Sequence, residues 1–328
     1  MKKIERRSFC KALLAGGTAL TLAACGLKAG SEPADSSVPA ASSSGAASGG
    51  TTEIIPILSP EEYPRVDGST ACIPLMAEAQ HRITGDDLLD IQTGISVSTT
   101  GFAWQYMGLY YEKQDLDRMI LVVYEAPAYI QQQIADAGTE LEVTPIGRDA
   151  LVFMVNEQNP VQSLSRQQLV DIYTGKITNW KQVGGADSPI VAFQRSEDSG
   201  SQTMFQKLVM GDTQPMAAPT ELAPGAMAGL VDALAEYNNQ GNALGFSVYY
   251  YIDQMYQKPG LRLIAVDGVL PANDTIADQS YPYCNEFFAV IHKNAAQGSP
   301  ARTVYDWLCG PEGAQCIRDT GYVPARTI

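Results

Sequence analysis

Three times along the chain an extended run gives way, through a tight turn of Gly, Ser and Thr, to a helix-forming stretch. Val66-Asp67-Gly68-Ser69-Thr70-Ala71 precedes Ile73, Leu75, Met76 and Ala79, which recur at helical spacing. Ser98-Thr99-Thr100-Gly101 precedes Phe102 to Tyr111. Ile190 to Phe193 reads as a strand, Met204 to Met210 as a helix, and Arg195-Ser196-Glu197-Asp198-Ser199-Gly200-Ser201-Gln202-Thr203 joins them. Ser199, Gly200 and Ser201 are therefore expected at a helix N-terminus. Backbone N–H groups there lack partners and the helix dipole is positive, which suits an anion. Gly200 lets a ligand approach the backbone. Arg195 offers a planar cationic fork that Glu197 could hold in place. For each turn alone the plain alternative is a capped helix, since Ser, Thr and Asp are favoured caps.

The same alternation runs through the rest of the chain. Ile120 to Tyr124 is a buried strand ending in Glu125-Ala126-Pro127, with Pro127 suited to a first helical turn. Glu125 thus stands beyond a strand's C-terminal end, where ligands of open α/β sheets bind; its other role would be as a dipole partner of the next helix. Leu141 to Val155 reads as two extended runs around Gly147-Arg148, and Ser165 to Tyr173 as a helix. A helix near Gly225 to Tyr237 follows, then short strands at Asn242 to Phe246, Leu261 to Val266 and Phe287 to Ile291. Two helices meet across Gly310-Pro311. Strands alternating with helices define an α/β protein. A chain of 328 residues has length for two lobes, each with its own core.

Residues 1–25 read as an export signal. Lys2, Lys3, Arg6, Arg7 and Lys11 precede an apolar run, Ala12 to Ala24, that is too short to span a bilayer. Leu22-Ala23-Ala24-Cys25-Gly26 resembles a lipobox, with Cys25 as the lipidated residue, and Arg6-Arg7-Ser8-Phe9 resembles a twin-arginine motif. Residues 26–52, rich in Ser, Ala and Gly, read as a flexible tether. The formal net charge is −14; the signal carries +4 of it, leaving −18 for the remainder. So acidic a body argues against a nucleic-acid partner. An anion would have to be held by local donors rather than a basic surface. Only two histidines, His81 and His292, are present, so neither a His-rich metal site nor a His-based triad is expected. Cys309 and Cys316 flank a Gly-Pro turn and could be bridged; buried thiols at Cys72, Cys284, Cys309 and Cys316 are the other possibility. Tyr249-Tyr250-Tyr251 is expected in the core.

Several stretches taken together resemble the phosphate-binding proteins of bacterial phosphate ABC importers. They are Asp67-Gly68-Ser69-Thr70-Ala71, Thr99-Thr100-Gly101, Tyr124-Glu125-Ala126-Pro127, Asp171 to Trp180, Arg195 to Thr203, Asn242 to Phe246, and Thr320-Gly321-Tyr322-Val323-Pro324. They occur in family order over nearly all of residues 63–328. The resemblance implies a two-lobed, type II periplasmic-binding-protein-like fold, each lobe a mixed sheet flanked by helices. Lobe 1 would comprise residues 53–145 and 243–328, and lobe 2 residues 146–242, with crossovers near Pro145 to Gly147 and Gly241 to Ala243. It further implies a first phosphate loop at Ser69, Thr70 and Ala71, a second at Thr99 and Thr100, and a third at Ser199, Gly200 and Ser201. Arg195 would be the family's arginine, Glu197 its salt-bridge partner, and Glu125 the family's acidic ligand residue. Many members have Asp at the last position, and Asp198 stands where they have a small residue.

The function so implied is an extracytoplasmic receptor, lipid-anchored through Cys25, that binds inorganic phosphate between its lobes and delivers it to ABC permease and ATPase subunits. No cofactor, metal or catalytic residue is implied. An ionised carboxylate only accepts hydrogen bonds. Glu125 in the site would therefore favour a protonated phosphate over sulfate, which has no proton to donate. A receptor for another oxyanion or an organic phosphate, or a surface sensor of the same fold, is the alternative.

Overall fold

The computed structural model describes residues 55–218, 227–237 and 241–325. The stretches read from the sequence as an export signal and a tether, with Cys25, lie outside the described residues. Strand β1 (Arg65–Gly68) leads through a 3-10 turn (Thr70–Cys72) into α1 (Ile73–Thr84), followed by α2 (Leu88–Gly94). Helix α3 (Thr100–Gln105) widens into a π turn (Tyr106–Tyr110) before β2 (Met119–Val123) and α4 (Ala128–Ala137). All five residues of β2 are buried, as an unbroken apolar run requires when both faces of a strand are covered.

Then comes β3 (Leu141–Asn156), one strand of 16 residues where the sequence suggested two runs. Its register shifts between Pro145 and Gly147. Ile146 is the extra residue, so the strand bulges there and continues rather than breaking, and a Cβ on the following Gly147 would run into the Phe287 ring. Next follow β4 (Ser163–Leu164), α5 (Arg166–Tyr173) and β5 (Val191–Ala192). Helix α6 (Gly200–Phe205) continues as a π turn (Gln206–Met210), so this helix starts at Gly200, before the expected Met204. After α7 (Met227–Tyr237) come β6 (Ala243–Val248), β7 (Leu261–Leu263) and β8 (Ala265–Val266). The stretch 261–266 is thus two strands: β7 pairs with β3, β8 with β4. The chain ends with α8 (Asn273–Ala277), β9 (Cys284–His292), α9 (Pro300–Cys309), α10 (Pro311–Asp319) and β10 (Val323–Pro324).

The main sheet runs β1-β2-β9-β3-β6-β5, with β10 and β7 also on β3. Its pairings are mixed: β1 and β2 are parallel, as are β5 and β6, while β9 and β6 run antiparallel to β3. β3 organises the molecule. Residues 141–150 pair with β9, and Leu151 to Val155 pair with β6. Around its second half Phe153, Tyr173, Phe205 and Phe246 form an aromatic cluster, with Phe205 stacked on Phe246 at 4.4 Å. Tyr249, Tyr250 and Tyr251 are buried, as expected. Cys316 is a free, buried thiol on the core side of α10, so the bridge to the half-buried Cys309 is not made; Cys72 and Cys284 are free thiols as well.

Candidate functional site

The three Gly/Ser/Thr turns meet at one cavity of about 500 Å³. Gly68 makes the first turn possible: its φ of 153° is unfavourable for other residues, and a Cβ there would strike the Val122 carbonyl. Ser69 caps the following turn through its carbonyl alone, which leaves its hydroxyl for other partners. That hydroxyl accepts from the Tyr124 amide at 3.0 Å and pairs with Thr100 Oγ1 at 2.7 Å. The second turn is tied to the first by Asp67, which is buried at the end of β1. Its carboxylate accepts from the Ser98 amide at 2.7 Å and from the Ser98 hydroxyl at 2.8 Å.

The third turn is set by Gln202, whose side-chain oxygen accepts from the Arg195 amide at 2.9 Å. Ser199 is the N-cap residue of α6, yet its hydroxyl makes no cap bond; it pairs with Ser201 Oγ at 2.9 Å. Thr99, at the N-cap of α3, makes no cap bond either, and its Oγ1 is buried with no hydrogen-bond partner among the described residues. A buried hydroxyl left unpaired costs about 1–3 kcal/mol, which a ligand in the cavity would recover. Burial brings the Arg195 guanidinium down to about 10, while the nearby Tyr251 opposes the shift, so the group is still cationic at neutral pH.

Of the residues singled out in the sequence, Ser69, Thr70, Thr99, Thr100, Arg195, Ser199, Gly200 and Ser201 line this cavity. Ala71 does not: it is packed in the core behind the loop. Glu125 does not either. Its carboxylate is ion-paired with Lys207 and faces an adjoining cavity of about 760 Å³, on whose wall the exposed Glu197 also stands. Arg195 belongs to both walls. Ser98, Phe102, Tyr124, Ser196, Asp198 and Tyr251 complete the first cavity. Asp198 is the carboxylate on that wall. The Tyr129 hydroxyl donates to its Oδ1, and its backbone carbonyl accepts from the Gly101 amide at 3.1 Å. Ser98 was legible as part of a Ser-Thr-Thr run. Tyr251 was read only as core, because nothing in a Tyr triplet tells which ring reaches a cavity.

Residues 120–312 match the family model of the PBP superfamily domain, and the chain belongs to that family. It is similar to the phosphate-binding protein PstS of Bacillus subtilis, with 26% identity over 273 residues, 79% of this chain and 79% of that one. To the PstS of Borreliella burgdorferi it is 20% identical, over 81% of this chain and 91% of the other. In three dimensions it matches a Clostridium perfringens structure reported as a phosphate ABC transporter substrate-binding protein with bound phosphate. The TM-score is 0.61 at 22% identity, covering 80% of this chain and all of that one. An ABC-type phosphate transport receptor from Vibrio cholerae matches with a TM-score of 0.56 at 24% identity, over 79% and 98% of the two chains.

Proposed function

We propose that this chain is an extracytoplasmic receptor that captures inorganic phosphate in the hydroxyl-lined cavity and delivers it to an ABC importer, held at the membrane by a lipid on Cys25. Residues 53–145 with 243–328 would form one lobe and residues 146–242 the other. The observation that carries this is the convergence of three turns and one buried Arg195 on a single cavity, with Thr99 Oγ1 buried there without a partner among the described residues. Fixed N–H and O–H donors replace the water of a dehydrated tetrahedral anion, and the guanidinium supplies the charge. Kinship with proteins named for phosphate binding supports the choice of anion. Those relatives bind their ligand rather than transform it, and the present chain is read in the same way, with no catalytic step and no cofactor.

A second reading has its own support. Glu125 stands outside the cavity, whose volume of about 500 Å³ exceeds what one tetrahedral anion fills, and Phe102 and Tyr251 line it. An organic phosphate, its ester group resting on these rings, would fit the same donors. Calorimetric titration of the ligand-stripped chain separates the two. Phosphate binding with no sulfate heat supports the phosphate receptor. Binding of a phosphate monoester but not of inorganic phosphate supports the second reading.

A further inference from the structure

Asp149 lies outside the cavity and is only 2% exposed. It sits where β3 exchanges partners: Asp149 and Ala150 face Asn285 and Cys284 of β9, while Leu151 already faces Val248 of β6. Its carboxylate gathers three segments. Oδ2 accepts from the Tyr124 hydroxyl at 2.6 Å; Oδ1 accepts from the Ala150 amide at 2.7 Å and from the Tyr250 amide at 3.1 Å. Ala150 belongs to one strand that passes between the two halves of the sheet. Tyr250 directly follows β6, which pairs with the second half of β3. Tyr124 is a wall of the cavity, and its amide donates to Ser69 Oγ. Tyr250 is itself anchored, stacked on Tyr322 at 3.4 Å and donating to the Thr320 carbonyl at 2.7 Å. Tyr251, the next residue, lines the cavity as well.

We infer that Asp149 is a positioning residue for anion binding: its carboxylate pins β3 at its change of partners, the turn after β6 and Tyr124 in one arrangement, and so holds the Ser69 and Tyr251 walls at the spacing the anion needs. This rests on the anion-receptor reading above. The carboxylate touches no ligand. It acts through the Tyr124 hydroxyl on one side and the Tyr250 amide on the other. Burial raises the Asp149 carboxyl to about 6, against the opposing pull of the Tyr124 hydroxyl and the Ala150 and Tyr250 amides. The ionisable groups around it are Tyr124, Tyr249, Tyr250, Tyr322, Cys72 and Cys284. All are pushed upward, chiefly by burial, so all are neutral between pH 5 and 8. Within that window only Asp149 in this cluster changes charge. Below its titration the protonated acid resembles an Asn: Oδ1 still accepts from the two amides, but Tyr124 loses its charged acceptor.

The test is phosphate affinity of the full chain and of Asp149→Asn across pH 5 to 8. The ratio of the two cancels the titration of phosphate itself. Asp149→Asn is expected to weaken binding about 10-fold at pH 7.5, the loss of one hydrogen bond to a charged group, with the ratio closing towards one at pH 5. Tyr124→Phe should lose a similar factor, and the double variant no more than either single one, since the two residues act as one unit. A ratio that stays constant with pH, or losses that add fully, would overturn the assignment and leave Asp149 a purely structural group. If the wild-type chain binds no phosphate, the receptor reading falls, and the pinning is then read without ligand. Amide hydrogen exchange in segments 119–126 and 245–256 should then be several-fold faster in Asp149→Asn; unchanged exchange would overturn the pinning by itself.

Discussion

Two cavities lie on either side of Arg195, and they differ in what their polar groups are doing. In the first, hydroxyls of Ser69, Thr100, Ser199 and Ser201 are tied only to one another or to the backbone, the N-cap hydroxyls make no caps, and Thr99 Oγ1 has no partner among the described residues. In the second, Glu125 is paired with Lys207, and Gln131 Nε2 donates to the Ala126 carbonyl at 2.8 Å. Glu125 on the larger cavity's wall thus has its partner, whereas Thr99 Oγ1 on the smaller one's has none among the described residues. Size alone would choose the other cavity. A binding site is better recognised by the hydrogen bonds its residues have not made among themselves.

The strongest test of this contrast removes the group the cavities share. Arg195→Met should lower phosphate affinity by more than about 100-fold, since a guanidinium gives an anion two or more charge-assisted bonds of roughly 1.5–3 kcal/mol each. Arg195→Lys should recover only part of this, because a point charge cannot supply the planar fork. Calorimetry on both variants checks it; equal losses would mean that charge alone matters.

Next in size is Gly200→Ala. A Cβ there would stand 2.5 Å from Thr100 Oγ1. The turn bearing α6 and the turn bearing α3 would have to move apart. Overpacking of this kind typically costs about 1–3 kcal/mol, so the thermal midpoint without ligand should fall by several degrees, and phosphate affinity should fall about 10-fold or more as the two turns separate. Unchanged affinity would show that the two turns do not need this close approach to bind.

Much of this site was legible because its chemistry is local. A strand, a Gly/Ser/Thr turn and a helix are contiguous in sequence, and their N-terminal donors follow from backbone geometry alone. Eight of the residues so identified share the cavity. What was not legible depends on side-chain direction over long sequence distances. Glu125 sits beyond the end of β2, as expected, but whether its carboxylate turns to the anion or away depends on Lys207, 82 residues on. Asp198 looked like an intrusion in an anion loop; in the fold Tyr129, 69 residues before it, holds one of its oxygens. The same limit applies to the fold. Alternation gave the α/β class, but 261–266 looked like one strand because nothing local says that β7 and β8 join different sheets.

Thr99→Val sharpens the contrast from the side of the unpaired hydroxyl. Valine keeps the shape and removes the oxygen. Without ligand the variant should be as stable as the parent or slightly more so, since an unsatisfied buried hydroxyl is lost. With phosphate it should bind about 10-fold more weakly, because the hydroxyl then has a charged acceptor. Thermal melts with and without phosphate read both signs together. A variant that loses stability without ligand would show that Thr99 Oγ1 has a structural partner after all.

Smallest of all should be Glu125→Gln. The side chain is 27% exposed and that of Lys207 53%, and ion pairs so close to solvent contribute roughly 0–1 kcal/mol. Phosphate affinity should therefore change by less than about 5-fold, and the change should shrink at high salt as the pair is screened. Lys207→Met should have a similar effect, because it breaks the same pair. Preference for phosphate over sulfate should stay as in the parent, since a carboxylate outside the cavity cannot repel the lone pairs of an unprotonated anion. The carboxylate on the wall of the first cavity is that of Asp198. Asp198→Asn should relax that preference where Glu125→Gln does not. If competition of sulfate against phosphate improves in Glu125→Gln instead, Glu125 turns inward when the ligand binds, and the division between the two cavities does not survive occupation of the first.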